Sequence, residues 1–281
     1  MLMRSTTIRP SRRFKVALLA AAASLGFAGA ALAADEDSTE VGEVVVTARH
    51  YVPTTNISAT KTEVPLVETP ASISVVTRDQ IDVLNMTNLQ QAVRYTAGTL
   101  GETFGADSRF DWLVIRGFKP VEFIDGIQAP VGSTQTVGLD LWGAGSVEVL
   151  KGPAGTLYGA TPPGGIVNYT SRRPEAEGHG EIQGLLGNFQ NRQLAADVTG
   201  PLDGERLTGR LTALWRESDT QIKGANVKRY YVAPALTWNI SDRTHLTLLS
   251  FYQRDENHGG DGGFLPAQGT LLPNPHGVIN P

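Results

Sequence analysis

One cation sits where apolar neighbours leave it little water: Arg116 interrupts Leu113-Val114-Ile115-Arg116-Gly117-Phe118. A charge in such surroundings costs several kcal/mol unless a counter-charge meets it. Arg116 therefore calls for a partner, or for a strand-edge position facing water. A different chemistry belongs to Glu43-Val44-Val45-Val46-Thr47-Ala48, a strand-prone hexamer alone in a polar tail. It reads as the edge strand of the first folded domain, or as a segment that adds to a partner's open sheet edge through main-chain hydrogen bonds. Catalytic signals are weak. The five histidines (His50, His179, His245, His258 and His276) form no i,i+4 pair, and no Ser/His/Asp set or carboxylate pair stands out. Cysteine is absent, which removes disulfides and thiolate metal sites. Gly143-Ala144-Gly145 lacks the third glycine of a dinucleotide fingerprint, and in Lys151-Gly152 the lysine precedes the glycine, the reverse of a phosphate loop. The expectation is a binding protein, not an enzyme, with no metal site and no cofactor.

The elements that position these residues begin with a targeting segment. Arg4, Arg9, Arg12, Arg13 and Lys15 precede an Ala/Leu-rich core from Val16 to Ala30, and Ala31-Leu32-Ala33 fits a cleavage signal. The core is about 15 residues, short of the ~20 that cross a bilayer as a helix, so residues 1–33 read as a secretory signal. With five of the 24 basic residues in that signal, 19 remain against 28 acidic ones, near −9. Nucleic acid, which needs a basic face, is not an expected partner. Residues 34–62 are acidic at first and have little to bury, so they read as flexible, with the hexamer inside them.

Residues 63–173 read as one α+β domain. Ala71 to Thr77 is a strand. Thr77-Arg78-Asp79-Gln80 and Thr87-Asn88-Leu89-Gln90 both fit a capping box, opening two short helices that bury Ile81 and Leu84, then Leu89, Ala92 and Val93. Asp125-Gly126 between apolar runs is a hairpin signal. The glycines of Val147 to Gly159 and of Pro163-Gly164-Gly165 are bracketed by β-branched residues, so they mark positive φ or close backbone approach and not a linker. From Gly178 the texture becomes alternating. Leu207, Leu211, Ala213 and Trp215 share one face, and Thr208, Arg210, Thr212 and Arg216 the other. About five strands are expected, near 181–187, 192–200, 206–218, 227–240 and 244–256. Short turns alternate with longer ones, as in a transmembrane barrel, and a soluble sandwich is the other reading of the same pattern.

The stretch from Val147 to Asn168 resembles the core of the plug domain of TonB-dependent outer-membrane receptors, the ferric-siderophore branch in particular. Lys-Thr-Glu-Val-Pro at 61–65 and Thr-Pro-Ala-Ser-Ile-Ser-Val-Val-Thr at 69–77 are similar to the start of that plug, and Glu43 to Ala48 looks like the TonB box. The resemblance covers nearly all of residues 43–281. It implies an α+β plug followed by the first strands of an incomplete antiparallel transmembrane β-barrel over 178–281, in the bacterial outer membrane. A closed wall around such a plug takes roughly 22 strands, and an open edge leaves backbone groups unpaired in lipid, so the chain is expected to be the N-terminal part of a longer receptor or the product of a broken gene. The resemblance further implies a TonB-type energy-coupling protein and a ferric siderophore as partners, with iron carried only as the chelate. Outer-membrane lipid would surround the full-length protein. The loop from Gly101 to Phe110 would be an apical ligand loop and Gln128 to Thr136 a second. Phe104, Arg109, Phe110, Gln128 and Tyr158 are the candidate ligand residues, and Tyr158 reads equally as a packed structural aromatic. Ferrichrome-type receptors carry an arginine near the position of Phe104, which leaves the ligand class open. Arg116 and Lys151 would lock the plug against acidic wall residues lying beyond Pro281. The other function is a truncated, non-transporting periplasmic plug-like module, and the other substrates are cobalamin, haem or a sugar.

Overall fold

A computed structural model describes residues 51–105, 107, 109–130, 138–204, 206–221, 224–241, 243–259 and 267–273. The signal segment and the hexamer 43–48 lie outside the described residues. The first described segment is folded, not flexible. β1 (Thr55–Asn56) pairs with β2 (Val64–Pro65), and buried Asn56 donates to Val64 O and Thr69 Oγ1. The backbone amides of Ile57 and Ser58 donate to the buried Glu148 carboxylate at 3.1 and 2.7 Å. The expected flexible stretch 34–62 is thus corrected from residue 51 on. A buried acid that reaches the segment from 90 residues away left no local signal.

β3 (Ser72–Thr77) leads into α1 (Arg78–Val83), where the expected capping box is present in full. α2 (Leu89–Val93) starts one residue later than the sequence suggests. Asn88, not Thr87, is the cap: its side chain accepts from Gln91 N, and Gln91 Oε1 accepts from Thr87 N at 2.8 Å. Asn caps as well as Thr, and the shift frees Gln90 for another task. Ile81, Leu89, Ala92 and Val93 are buried as expected, whereas Leu84 is 46% exposed because α1 ends before it. β4 (Thr99–Leu100) pairs with β5 (Val114–Ile115), closing the loop between them. Arg116 is therefore not inside a strand. It sits at φ 50 in a tight turn with Gly117, where Ile115 and Phe118 exchange backbone hydrogen bonds.

β6 (Val121–Ile124) and β7 (Ile127–Gln128) form the expected hairpin, with Asp125 and Gly126 both at positive φ. β8 (Ala144–Lys151), the short helix α3 (Gly155–Tyr158) and β9 (Gly165–Ser171) complete a sheet of order β3-β8-β9-β6-β7. Both faces of β8 are covered, and apart from Glu148 its central residues are apolar on each. Val147 and Val149 pack with the helices, and Leu150 packs on the other side with Phe123, Ala154 and Ile166.

The second sheet runs β10 (His179–Leu186), β11 (Arg192–Asp203), β12 (Leu207–Asp219), β13 (Asn226–Ser241), β14 (Thr244–Leu249) and β15 (Tyr252–His258), all antiparallel. The expected fifth strand is split. β14 and β15 both pair with β13, and on that side Ala233 and Pro234 fall between them, while on the other they pair with Thr212 and Leu211 of β12. Pro234 lacks a ladder N–H, and Ser250 Oγ donates to its carbonyl instead. The alternation is inverted relative to a water-soluble sheet. Arg210, Thr212 and Arg229 are buried against the first sheet, while Leu211, Val232, Leu236 and Trp238 face outward. Apolar residues outside and polar ones inside is the pattern of a barrel wall in lipid. The sheet is not closed.

Candidate functional site

The loop between β4 and β5 is held by Gln90. Its side chain donates to the carbonyls of Asp107 and Phe110 and accepts from Glu102 N. Three backbone groups that the loop cannot pair internally are satisfied by one buried amide. Gly101 is required here, since a Cβ would lie 2.3 Å from Gln90 O. On this frame Trp112 stacks edge-on with Phe104 at 4.9 Å and with Phe110 at 6.5 Å, and its indole N–H donates to Asp107 at 2.9 Å. Asp107 also holds Arg109 through two bonds of 3.0 Å. Arg109 and Phe110 line a pocket of about 470 Å³ with Leu139 of the first sheet's module and Phe251, Gln253 and Asp255 of the second. That size suits a small-molecule chelate, and the mix of aromatic surface with a few polar groups is what such sites use.

Asp111 follows the pocket residue Phe110 in the chain and is 2% exposed. Burial pushes its carboxyl up to about 7, against the opposing pull of the Arg229 guanidinium and the nearby Leu139 and Gln90 amides. The folded chain thus keeps a proton that the unfolded chain loses near 3.8. Stability should fall as pH rises through the window from about 4 to about 7, by a few kcal/mol at most. Urea midpoints at pH 5 and pH 7.5 check this. Asp111→Asn is expected to flatten the difference, and a wild-type midpoint that rises with pH, by an amount the Asn variant removes, contradicts the sign.

The two sheets are joined by buried ion pairs. Asp140, fully buried, meets Arg216 at 2.6 Å and Arg229 at 3.2 Å. Burial alone would raise the Asp140 carboxyl, but the two guanidinium groups outweigh it and hold it below the usual carboxylate range. Arg229 also meets Asp255. A second cluster pairs Arg172 with Asp197 at 2.9 Å and Arg210 with Asp197 at 2.6 Å. Between the clusters Trp142 packs on Ala195, Leu214 and Tyr231 and donates to Ala196 O. The sequence placed Arg210 and Arg216 on one strand face but did not reveal Asp140, Asp197 or Arg229 as their partners. The available signal was charge at inward positions of alternating strands.

The structure brings Phe104, Arg109 and Phe110 together, with Gln128 exposed beside Ala129 at the pocket's edge. Tyr158 is elsewhere. It lies on the opposite face of the first sheet, edge-on to Phe123, donating to Ser58 O beneath the Lys61 ammonium. Burial raises its hydroxyl pKa, as for a packed structural aromatic. Arg116 and Lys151 do share a surface. Burial and then Arg116 lower the Lys151 ammonium, and each reaches only a serine hydroxyl, Ser72 and Ser74 respectively. Neither joins an ion pair with any described residue.

Residues 65–166 match the family model described as the TonB-dependent receptor plug domain. This chain carries the plug of a TonB-dependent receptor. Over 229 residues it is 41% identical to the ferrioxamine B receptor of Salmonella typhimurium, covering 79% of this chain and 32% of that receptor. It is 33% identical over 291 residues to the ferrichrome outer membrane transporter/phage receptor of Escherichia coli K12, covering 98% of this chain and 39% of that protein. The solved ferripyoverdine receptor of Pseudomonas aeruginosa superposes with a TM-score of 0.69 at 28% identity, over 78% of this chain and 30% of that one. The chain spans about a third of the length of the curated relatives it matches. The chain therefore carries the plug of a TonB-dependent receptor followed by antiparallel strands of barrel type, and the plug and barrel fold assign it to the bacterial outer membrane.

Proposed function

We propose that this plug and these staves serve the uptake of a ferric siderophore across the outer membrane. The observation that carries the reading is the pocket that Arg109 and Phe110 of the plug form with Phe251, Gln253 and Asp255 of the wall. A ligand seated there touches both the stopper and the wall around it. Phe104 and Gln128 flank that seat. Energy would come from the hexamer Glu43–Ala48, drawn as an added strand by a TonB-type protein of the inner membrane. The folded strap from residue 51 follows the hexamer in the chain, so tension on the hexamer would meet first the bonds that Thr77 and Gln80 donate to Tyr51 O and then the Glu148 carboxylate that holds Ile57 and Ser58. Arg116 and Lys151 would meet acidic wall groups, which accounts for two neighbouring cations that join no ion pair among the described residues. The relatives' names support the substrate class, being receptors for ferrioxamine, ferrichrome and pyoverdine.

Growth of an iron-starved strain on a panel of ferric siderophores, with the gene present and deleted, tests the reading. Gene-dependent growth on at least one chelate is expected. Val45→Pro removes one main-chain donor from the docking strand and should cut gene-dependent iron uptake at least tenfold while leaving the chelate bound to cells. Growth on no chelate, or growth only on cobalamin-, haem- or sugar-type substrates, defeats the proposal.

A further inference from the structure

The charges around the apical pocket cancel in a specific way. Arg109 is the plug arginine that lines the pocket, and Asp107 occupies it with both carboxylate oxygens. Asp107 is itself fixed by Trp112 and is 9% exposed, while Arg109 is 38% exposed. On the wall side, Arg229 and Arg216 are consumed by Asp140 and Asp255. Asp255 lines the pocket and is itself held by Arg229. Elsewhere in the loop Arg94 is held by Glu102. Residues 128–136 carry no charge in the sequence. The described pocket therefore offers aromatic surface and neutral amides, with each nearby guanidinium already neutralised.

We propose that Asp107 is a specificity-determining residue: by holding Arg109 in a bidentate pair it makes the plug loop electrically neutral, so the pocket takes a ferric chelate that is uncharged or singly positive and discriminates against trianionic ones. The inference rests on the siderophore-uptake reading above. The chemistry follows from valence. Three monoanionic hydroxamate groups cancel iron(III), giving a neutral complex with an apolar rim. Three dianionic catecholate groups leave a charge of −3. Bringing that charge out of water against already paired arginines is costly, because no described residue lining the pocket offers a spare cation to repay the desolvation. If Asp107 were neutral, Arg109 would become that spare cation, with a planar fork suited to catecholate oxygens.

The test uses outer membranes from cells making the protein and two radioiron-labelled probes, the neutral tris-hydroxamate ferrichrome and the trianionic tris-catecholate ferric enterobactin. The ratio of the two affinities is read, so a general loss of binding does not count. Wild-type membranes should favour the neutral chelate at least 30-fold, and Asp107→Asn should narrow that ratio at least tenfold. If Asp107→Asn binds neither probe, Arg109→Gln takes its place. It leaves the Asp107 carboxylate without the arginine that offsets it and should widen the ratio at least tenfold. Wild-type membranes that bind the trianion as well as the neutral chelate overturn the charge assignment and leave siderophore uptake standing. A ratio unmoved by whichever variant binds shows that Asp107 does not set it and overturns the role given to that residue. Wild-type membranes that bind no ferric chelate at all, on an extended panel, overturn the uptake reading itself.

Discussion

Asp140→Ala should cost the fold about 3–5 kcal/mol, the range for removing one partner of a buried ion pair. The magnitude comes from what stays behind. Arg216 keeps Gln193 and Arg229 keeps Asp255, but both guanidiniums lose the carboxylate that lies between them. Neither can escape to water, since their side chains are 14% and 7% exposed. The same aspartate accepts from Trp142 N and so orients the indole that packs against the wall. The variant should therefore loosen the plug from the staves before the plug's own sheet melts. Urea unfolding followed by tryptophan fluorescence, together with proteolysis between residues 172 and 178, reads the two events separately. Arg94→Ala is the control. Its pair with Glu102 is half exposed, where an ion pair contributes about 0–1 kcal/mol. Equal losses for the two variants would contradict the assignment of Asp140 as the joint between plug and wall.

Gly165→Ala is expected to be at least as damaging to the plug itself, at about 3 kcal/mol or more. Gly165 has φ +134, a region closed to side chains. A Cβ there would also stand 2.1 Å from Leu150 O. Lys151 pairs with Gly165 and Leu150 with Ile166, so any relief must push β9 away from β8 at the centre of the sheet. Lys151 would be displaced with it. Gly155→Ala makes the matched control, because it lies in α3 at ordinary φ with open space around it. Alanine there should be neutral or stabilising by up to about 1 kcal/mol. Denaturation midpoints of the two variants decide the point. A mild Gly165→Ala would mean that the turn, not the close strand approach, is what the glycine serves.

Density of glycine between β-branched runs signals tight approach, and Gly164 and Gly165 obey it, each with a carbonyl within 2.3 Å of a would-be Cβ. The Asp125-Gly126 hairpin and the Thr77 capping box were equally legible, because turn and cap chemistry is settled by neighbours within four residues. The alternation of β11 to β13 was legible for the same reason, period two being a local property. The α2 cap was misread by one residue because Thr87 and Asn88 are both good caps. The choice fell to Gln90, which is turned inward to hold the loop between β4 and β5.

What the sequence determined by itself was therefore the kind of object: a stopper of short elements, then staves with apolar residues outward, with a loop of aromatics and arginine at the tip. Each of these follows from local spacing. Only the tertiary structure decided who meets whom. It paired Asp140 with Arg216 and Arg229 across 76 and 89 residues, set Glu148 under the amides of the strap, neutralised Arg109 with Asp107, and sent Tyr158 to the far face. The physical reason is that a charge takes its value from its surroundings: the same arginine is a ligand group, a joint or a bystander according to which carboxylate the fold carries within 3 Å of it.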